Sequence, residues 1–114
     1  MPFNAQTSKL KRVRSQRRAL LKLLAANMIL HKKIRTTETK AKSVRPFVER
    51  LVTVAKKDSV ASRRYVSRYL PKTVVTALHK VAAQYKERNG GYTRIVKTAS
   101  RRRDNTRMAF IEFV

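Results

Sequence analysis

Cations are the residues with the most to offer chemically in this chain. They fall into four groups: Lys9, Lys11, Arg12, Arg14, Arg17, Arg18 and Lys22; Lys32, Lys33 and Arg35; Arg63, Arg64 and Arg68; and Arg101, Arg102 and Arg103. Guanidinium and ammonium groups at this density neutralise phosphates and release the counterions around them. A charge run is ordinarily a solvated face, but solvated faces mix signs. Here ten Lys and Arg precede the first acid, Glu38. The whole chain holds 29 Lys and Arg against 6 Asp and Glu, a net charge of +23. Charge of one sign repels itself in a compact state, so the composition calls for a polyanionic partner. Tyr65, Tyr69 and Tyr92 lie near or between the basic groups. Stacking on bases is one use for them, and packing in the core or under arginine stems is the commoner one.

Other chemistries find little material. His31 and His79 fall in separate predicted helices, and neither has a carboxylate three or four residues away to orient it. The six acids are scattered and form no catalytic pair. There is no cysteine, hence no disulfide, thiolate metal site or thiol nucleophile. The two glycines, Gly90 and Gly91, lack the flanking pattern of a phosphate-cradling loop. Neither a metal, a cofactor nor a small-molecule substrate is implied. No apolar run is long enough to span a membrane, and the start "MPFNAQTSKLKRVR" has no signal-like apolar core. It suits an intracellular protein with a basic arm, and an organellar address fits the same composition.

The elements that must position these cations follow from periodicity. Residues 1–14 lack it and read as an extended basic arm, expected to order only on a polyanion. A domain over 15–114 follows. Its first helix, about 15–31, starts at an N-cap on Ser15 and spaces Leu20, Leu21, Leu24, Ala25 and Met28 helically. "KIRTT" (33–37) is a β-branched strand, and Thr37 caps a second helix with Ala41, Val44, Val48, Leu51 and Ala55 inward. Pro46 predicts a kink, or a regular helix that starts only near Arg45. Asp58 or Ser59 caps a third helix, with Val66, Tyr69 and Leu70 inward, that Pro71 ends. A fourth, about 73–87, buries Val74, Val75, Leu78, Val81, Ala82 and Tyr85. Asn89 and Gly90 then suit left-handed backbone at its C-cap, and Gly91 swings the chain into the strand "YTRIVKT". After the basic loop "SRRRDNTR", the strand "MAFIEFV" is apolar on both faces except at Glu112, which predicts the central place in a three-stranded sheet. The fold class is α+β: a two-layer sandwich in the order helix, strand, three helices, two strands.

Four stretches are similar to the bacterial large ribosomal subunit protein 17 family. They are "RNGGYTRI" (88–95), "IRTTETKAKSVRPFVERLVTVAKK" (34–57), the start of the first helix in "KLKRVRSQRRALL" (9–21), and "MAFIEFV" (108–114). The resemblance covers about residues 9–114. It implies a non-enzymatic component of the large subunit, binding 23S-type rRNA near the exit-tunnel rim beside neighbouring ribosomal proteins. The rRNA-binding set it supports is Lys9, Lys11, Arg12, Arg14, Arg17, Arg18, Lys22, Lys33, Arg35, Thr36, Thr37, Lys40, Lys42, Arg45, Arg63, Arg64, Arg94, Arg101, Arg102 and Arg103, with Asn89, Gly90 and Gly91 as a structural turn. Arg94 has two equal readings, a phosphate contact or a brace of the fold. The chain departs from the family pattern at "MPFNAQTS", and at Arg103, where an Arg-Arg-Gly-Asp loop reads Arg-Arg-Arg-Asp. A DNA-binding or nucleoid-compacting protein is the alternative. Cations spread over several elements suit a folded RNA better than the compact base-reading helix of most DNA modules. A nuclease would need clustered metal-binding acids.

Overall fold

A computed structural model describes residues 14–114. The arm and its cations Lys9, Lys11 and Arg12 lie outside the described residues. The elements run α1 (Arg14–His31), β1 (Lys33–Thr37), α2 (Glu38–Ala55), α3 (Val60–Ser67), α4 (Lys72–Ala83), β2 (Thr93–Thr98) and β3 (Met108–Phe113). Both flanking strands pair antiparallel with β3, giving the order β1-β3-β2. The α+β class and the central place of the last strand hold.

Hydrophobic spacing sets the packing. In α2, Ala41, Val44, Phe47, Val48, Leu51, Val52 and Ala55 line a face that meets α1, α3, α4 and all three strands. Opposite them lie Leu21, Ala25, Met28 and Ile29 of α1 and Val74, Val75, Leu78, Val81 and Ala82 of α4. The sheet adds Ala109 and Ile111, with Ile34, Ile95 and Phe113 at the margin. Alternation in β3 therefore puts 109, 111 and 113 toward the helices and 108, 110 and 112 on the other side. The helices cover one face of the sheet only.

Caps and breaks correct several expectations. Arg14 is already helical, so Ser15 lies inside α1 instead of capping it, and Arg14 belongs to the helix and not to an arm. Thr37 does cap α2, accepting from the Lys40 N–H at 3.3 Å. That helix begins at Glu38, well before Pro46, so the start near Arg45 is not found. Ser59, not Asp58, caps α3 through a reciprocal capping box with Ser62. The third helix is shorter than its pattern, ending at Ser67, though Leu70 is still buried. The fourth ends at Ala83 with Gln84 as C-cap. Asn89 and Gly90 therefore lie beyond the helix and do not cap it. Among the described residues the non-glycine positions with positive φ are Lys32, Asp58 and Asn105, so Asn89 is not left-handed. Gly90 (φ 140°) and Gly91 (φ 63°) are in that region. A Cβ on either would meet nothing within 4 Å, so backbone conformation and not crowding calls for glycine.

Candidate nucleic-acid interface

The acids decide which cations are available. Five of the six sit in ion pairs. Glu38, at the start of α2, holds Lys42 at 3.0 Å and Lys97 at 3.9 Å. The hydrogen bond from Lys42 keeps its carboxyl below the usual range against the opposing effect of burial, and the charges of Lys97 and Arg107 help. Glu49 pairs with Arg45 at 3.5 Å and accepts from the Thr93 hydroxyl at 2.8 Å, while Arg45 donates to the Thr93 carbonyl at 3.2 Å. These bonds clamp α2 to the first residue of β2.

Asp58 accepts from Arg63 at 2.8 Å, which lowers its pKa. Its carboxylate also lies 3.8 Å from Nε2 of His79, whose Nδ1 is 2.9 Å from the Val75 carbonyl. His79 is thus held by its own helix through the Val75 carbonyl, with the Asp58 carboxylate, which sequence spacing does not reveal, nearby but beyond hydrogen-bond reach of Nε2. On the sheet, Glu112 bridges Lys33 at 3.8 Å and Arg94 at 3.0 Å. In the free protein Arg94 thus pairs with Glu112 across β2 and β3, with 60% of its side chain exposed.

The remaining expected residues separate accordingly. Thr36 is buried on the helix-facing side of β1 and Thr37 is a cap, so both serve the fold. Lys33, Lys42, Arg45, Arg63, Arg94 and Arg101 have acid partners. Arg14, Arg17, Arg18, Lys22, Arg35, Lys40, Arg64, Arg102 and Arg103 are in no ion pair among the described residues.

Most of these unpaired cations fall in two places, with Arg35 on the sheet and Arg64 on α3 apart from them. Arg14, Arg18 and Lys22, four apart, form one line along α1. The Lys22 ammonium stands 5.9 Å from the Tyr69 ring centroid, which sets the end of that line beside the exposed Arg68 of the α3–α4 turn. Arg17 falls on another side of the helix and is half-buried. The second place is the β2–β3 loop. Its Arg107 carbonyl accepts from the Glu38 N–H at 3.0 Å, which docks the loop against the start of α2 near Lys40. Arg102, Arg103 and Arg107 are exposed there. Arg107 is the cation sequence reading passed over, because the arginine triplet beside it dominates the run.

The tyrosines are committed to packing. Tyr92 is 1% exposed. Tyr65 and Tyr69 are half-buried, 5.5 Å apart, with Tyr69 edge-on to Phe47 at 5.4 Å. Among the described residues no group of three His, Cys, Asp or Glu is arranged to hold a metal ion, and no helix is long and apolar enough to cross a membrane.

Residues 20–114 match the family model described as ribosomal protein L17. A large ribosomal subunit protein bL17 of Persephonella marina is 48% identical over 118 aligned positions, covering all of this chain and 95% of the relative. Another of that name, from Hydrogenobaculum, is 49% identical over 106 positions, covering 90% of each chain. A third, from Fusobacterium nucleatum, is 43% identical over the full length of both chains.

Proposed function

Because the chain belongs to the ribosomal protein L17 family, and is a structural constituent of the cytoplasmic ribosome and not an enzyme, we propose that it binds and stabilises folded 23S-type rRNA. Phosphates are the ligands, approached from two directions at once. The α1 line with Arg64 and Arg68 meets one RNA segment, and Arg102, Arg103, Arg107 and Lys40 at the loop meet another. Lys9, Lys11 and Arg12 supply further cations for phosphate, and a position near the exit-tunnel side follows the family resemblance. Neighbouring large-subunit proteins are the other partners.

One observation carries this reading. Five of the six acids are taken up in ion pairs within the fold, so among the described residues most cations are left without an acid partner, and most of these are exposed. A folded polyanion supplies what they lack, and counterion release supplies the driving force.

The test is a salt titration of the protein on 23S-type rRNA fragments. Each neutralised phosphate contributes about −0.7 to −0.9 to the slope of log affinity against log salt, so two basic regions give a slope on the order of −5 or steeper. A flat titration refutes the electrostatic reading. Sedimentation with chromosomal DNA instead of large subunits after a high-salt wash would favour a DNA-binding protein. Deleting residues 1–13 is expected to leave the domain folded and weaken its incorporation into subunits.

A further inference from the structure

The helices cover one face of the sheet, and the other face carries a pattern that the phosphate contacts above leave unused. Cross-strand register places three rows on it. Lys33, Glu112 and Arg94 form the first, Arg35, Phe110 and Val96 the second, and Thr37, Met108 and Thr98 the third. Phe110 is therefore at the centre, on the middle strand, half-buried, with Val96 beside it 43% exposed. No helix among the described residues crosses this side, since Ala109, Ile111 and Phe113 take the helix-facing positions of the same strand.

Charge surrounds the ring on both edge strands. Arg35 is exposed and in no ion pair among the described residues. The Lys33 ammonium stands 4.4 Å from the Phe110 centroid, on a side chain that is 53% exposed. Arg94 is 60% exposed. The one acid of the face, Glu112, is shared by two cations, so the face stays net positive. A sheet face that no described helix crosses, with Met108 buried in one row, an aromatic on its central strand and cations at both edges, combines a stacking platform with a phosphate track.

We propose that this face takes an unpaired RNA nucleotide, its base stacked on Phe110 and its flanking phosphates held by Arg35 on one side and Lys33 or Arg94 on the other. The incoming base replaces the lysine ammonium over the ring, and the ammonium moves to the new phosphate. Complementary charge favours RNA over a second copy of this +23 chain, which would bring cations against cations. The proposal rests on the rRNA-binding reading and adds to it a single-stranded site.

The test compares two RNAs at one salt concentration with the full chain. One is a fully paired hairpin. The other is the same hairpin with a six-nucleotide single-stranded extension containing 5-iodouridine. The wild type is expected to bind the extended RNA about tenfold tighter, within what base–aromatic stacking contributes, and to cross-link at Phe110 on irradiation. Phe110→Leu keeps an apolar side chain without a π-face and is expected to lose that preference while binding the plain hairpin as before. Phe110→Tyr is expected to retain it. A cross-link mapping elsewhere, or a Phe110→Leu protein that keeps its preference, overturns the stacking site and leaves the phosphate reading standing. Wild-type binding to neither RNA overturns both. Normal binding of Phe110→Leu to both RNAs, with poor incorporation into subunits, overturns the proposal in favour of a protein neighbour on this face.

Discussion

Residues 84–92 bring the chain into β2 and residues 99–107 take it out, and the two connections use their side chains in opposite directions. The first turns inward. Tyr85 donates to the Val114 carbonyl at 2.7 Å, and its ring lies 5.3 Å from that of Tyr92. The Tyr92 hydroxyl meets Thr53 Oγ1 and Lys56 Nζ, each at 3.2 Å, and the Lys56 ammonium also donates to the Arg88 carbonyl. Gly90 and Gly91 provide the left-handed backbone that lets Tyr92 reach the core directly after the turn. The second connection bonds mainly to itself: Arg101 N–H to the Thr106 carbonyl and Asn105 N–H to the Arg101 carbonyl, both at 2.9 Å. Every residue from Ala99 to Arg107 is exposed except Thr106. One connection holds the fold and the other displays charge, so mutations in them should separate stability from binding.

The sharpest separation is expected at Tyr92. Tyr92→Ala empties a fully buried site and should cost about 3–5 kcal/mol of stability, as large aromatic truncations do. Denaturant melts would measure it. The salt slope of RNA binding by the fraction that remains folded should not change. If the slope fell with stability intact, the first connection would be part of the interface. Gly91→Val follows, at about 1–3 kcal/mol, because a β-branched residue is forced to a positive φ. The space around a Cβ there is open, so strain alone is at stake. An unchanged melting transition would mean that the backbone relaxes to an ordinary conformation.

In the exposed loop the expectation reverses. Replacing Arg101, Arg102 and Arg103 with Ala should leave the melt nearly unchanged and make the salt slope shallower by about 2, at roughly 0.7–0.9 for each phosphate no longer neutralised. Cognate and unrelated RNAs should lose affinity alike, since phosphate binding carries no sequence information. Loss confined to the cognate RNA would make these arginines readers of bases or shape.

How far such roles are legible in the sequence depends on the residue type that does the work. The central strand is readable because both faces of "MAFIEFV" are apolar, a pattern only a flanked strand tolerates. The same pattern hides Phe110, whose apolarity passes for full burial although no helix among the described residues crosses its side of the sheet. Left-handed backbone is readable at Gly91, where glycine signals it. It is invisible at Lys32, Asp58 and Asn105, where ordinary side chains are held at positive φ by bonds around them, such as Lys32 N–H to the Met28 carbonyl at 2.6 Å. The fourth helix reads too long because Tyr85 continues its apolar spacing. In the fold that ring is buried from a turn beyond the helix end. The cation clusters are plain in composition, but which cations are neutralised is not, since Glu112 meets Arg94 only across strands.

Asp104 gives the smallest effect and the finest test of the contrast, because it is a brace inside the displayed loop. Its carboxylate accepts from the Thr106 N–H at 3.2 Å and from Arg101 at 3.1 Å. The Thr106 hydrogen bonds, ahead of Arg101, hold its pKa below the ordinary 3.8. A carboxyl with a depressed folded pKa contributes stability that is present above the unfolded value and is lost as pH falls through the folded one. Wild type should therefore hold a small melting advantage over Asp104→Asn at neutral pH and surrender it below about pH 4. RNA binding should move the other way. Removing the anion frees Arg101 for phosphate and takes a repulsive charge from the loop, so Asp104→Asn is expected to bind rRNA slightly tighter, with a salt slope steeper by at most about one phosphate's share. A weaker-binding variant would show that the loop must be held in shape to bind, and the line between the bracing connection and the displaying one would fall inside this loop.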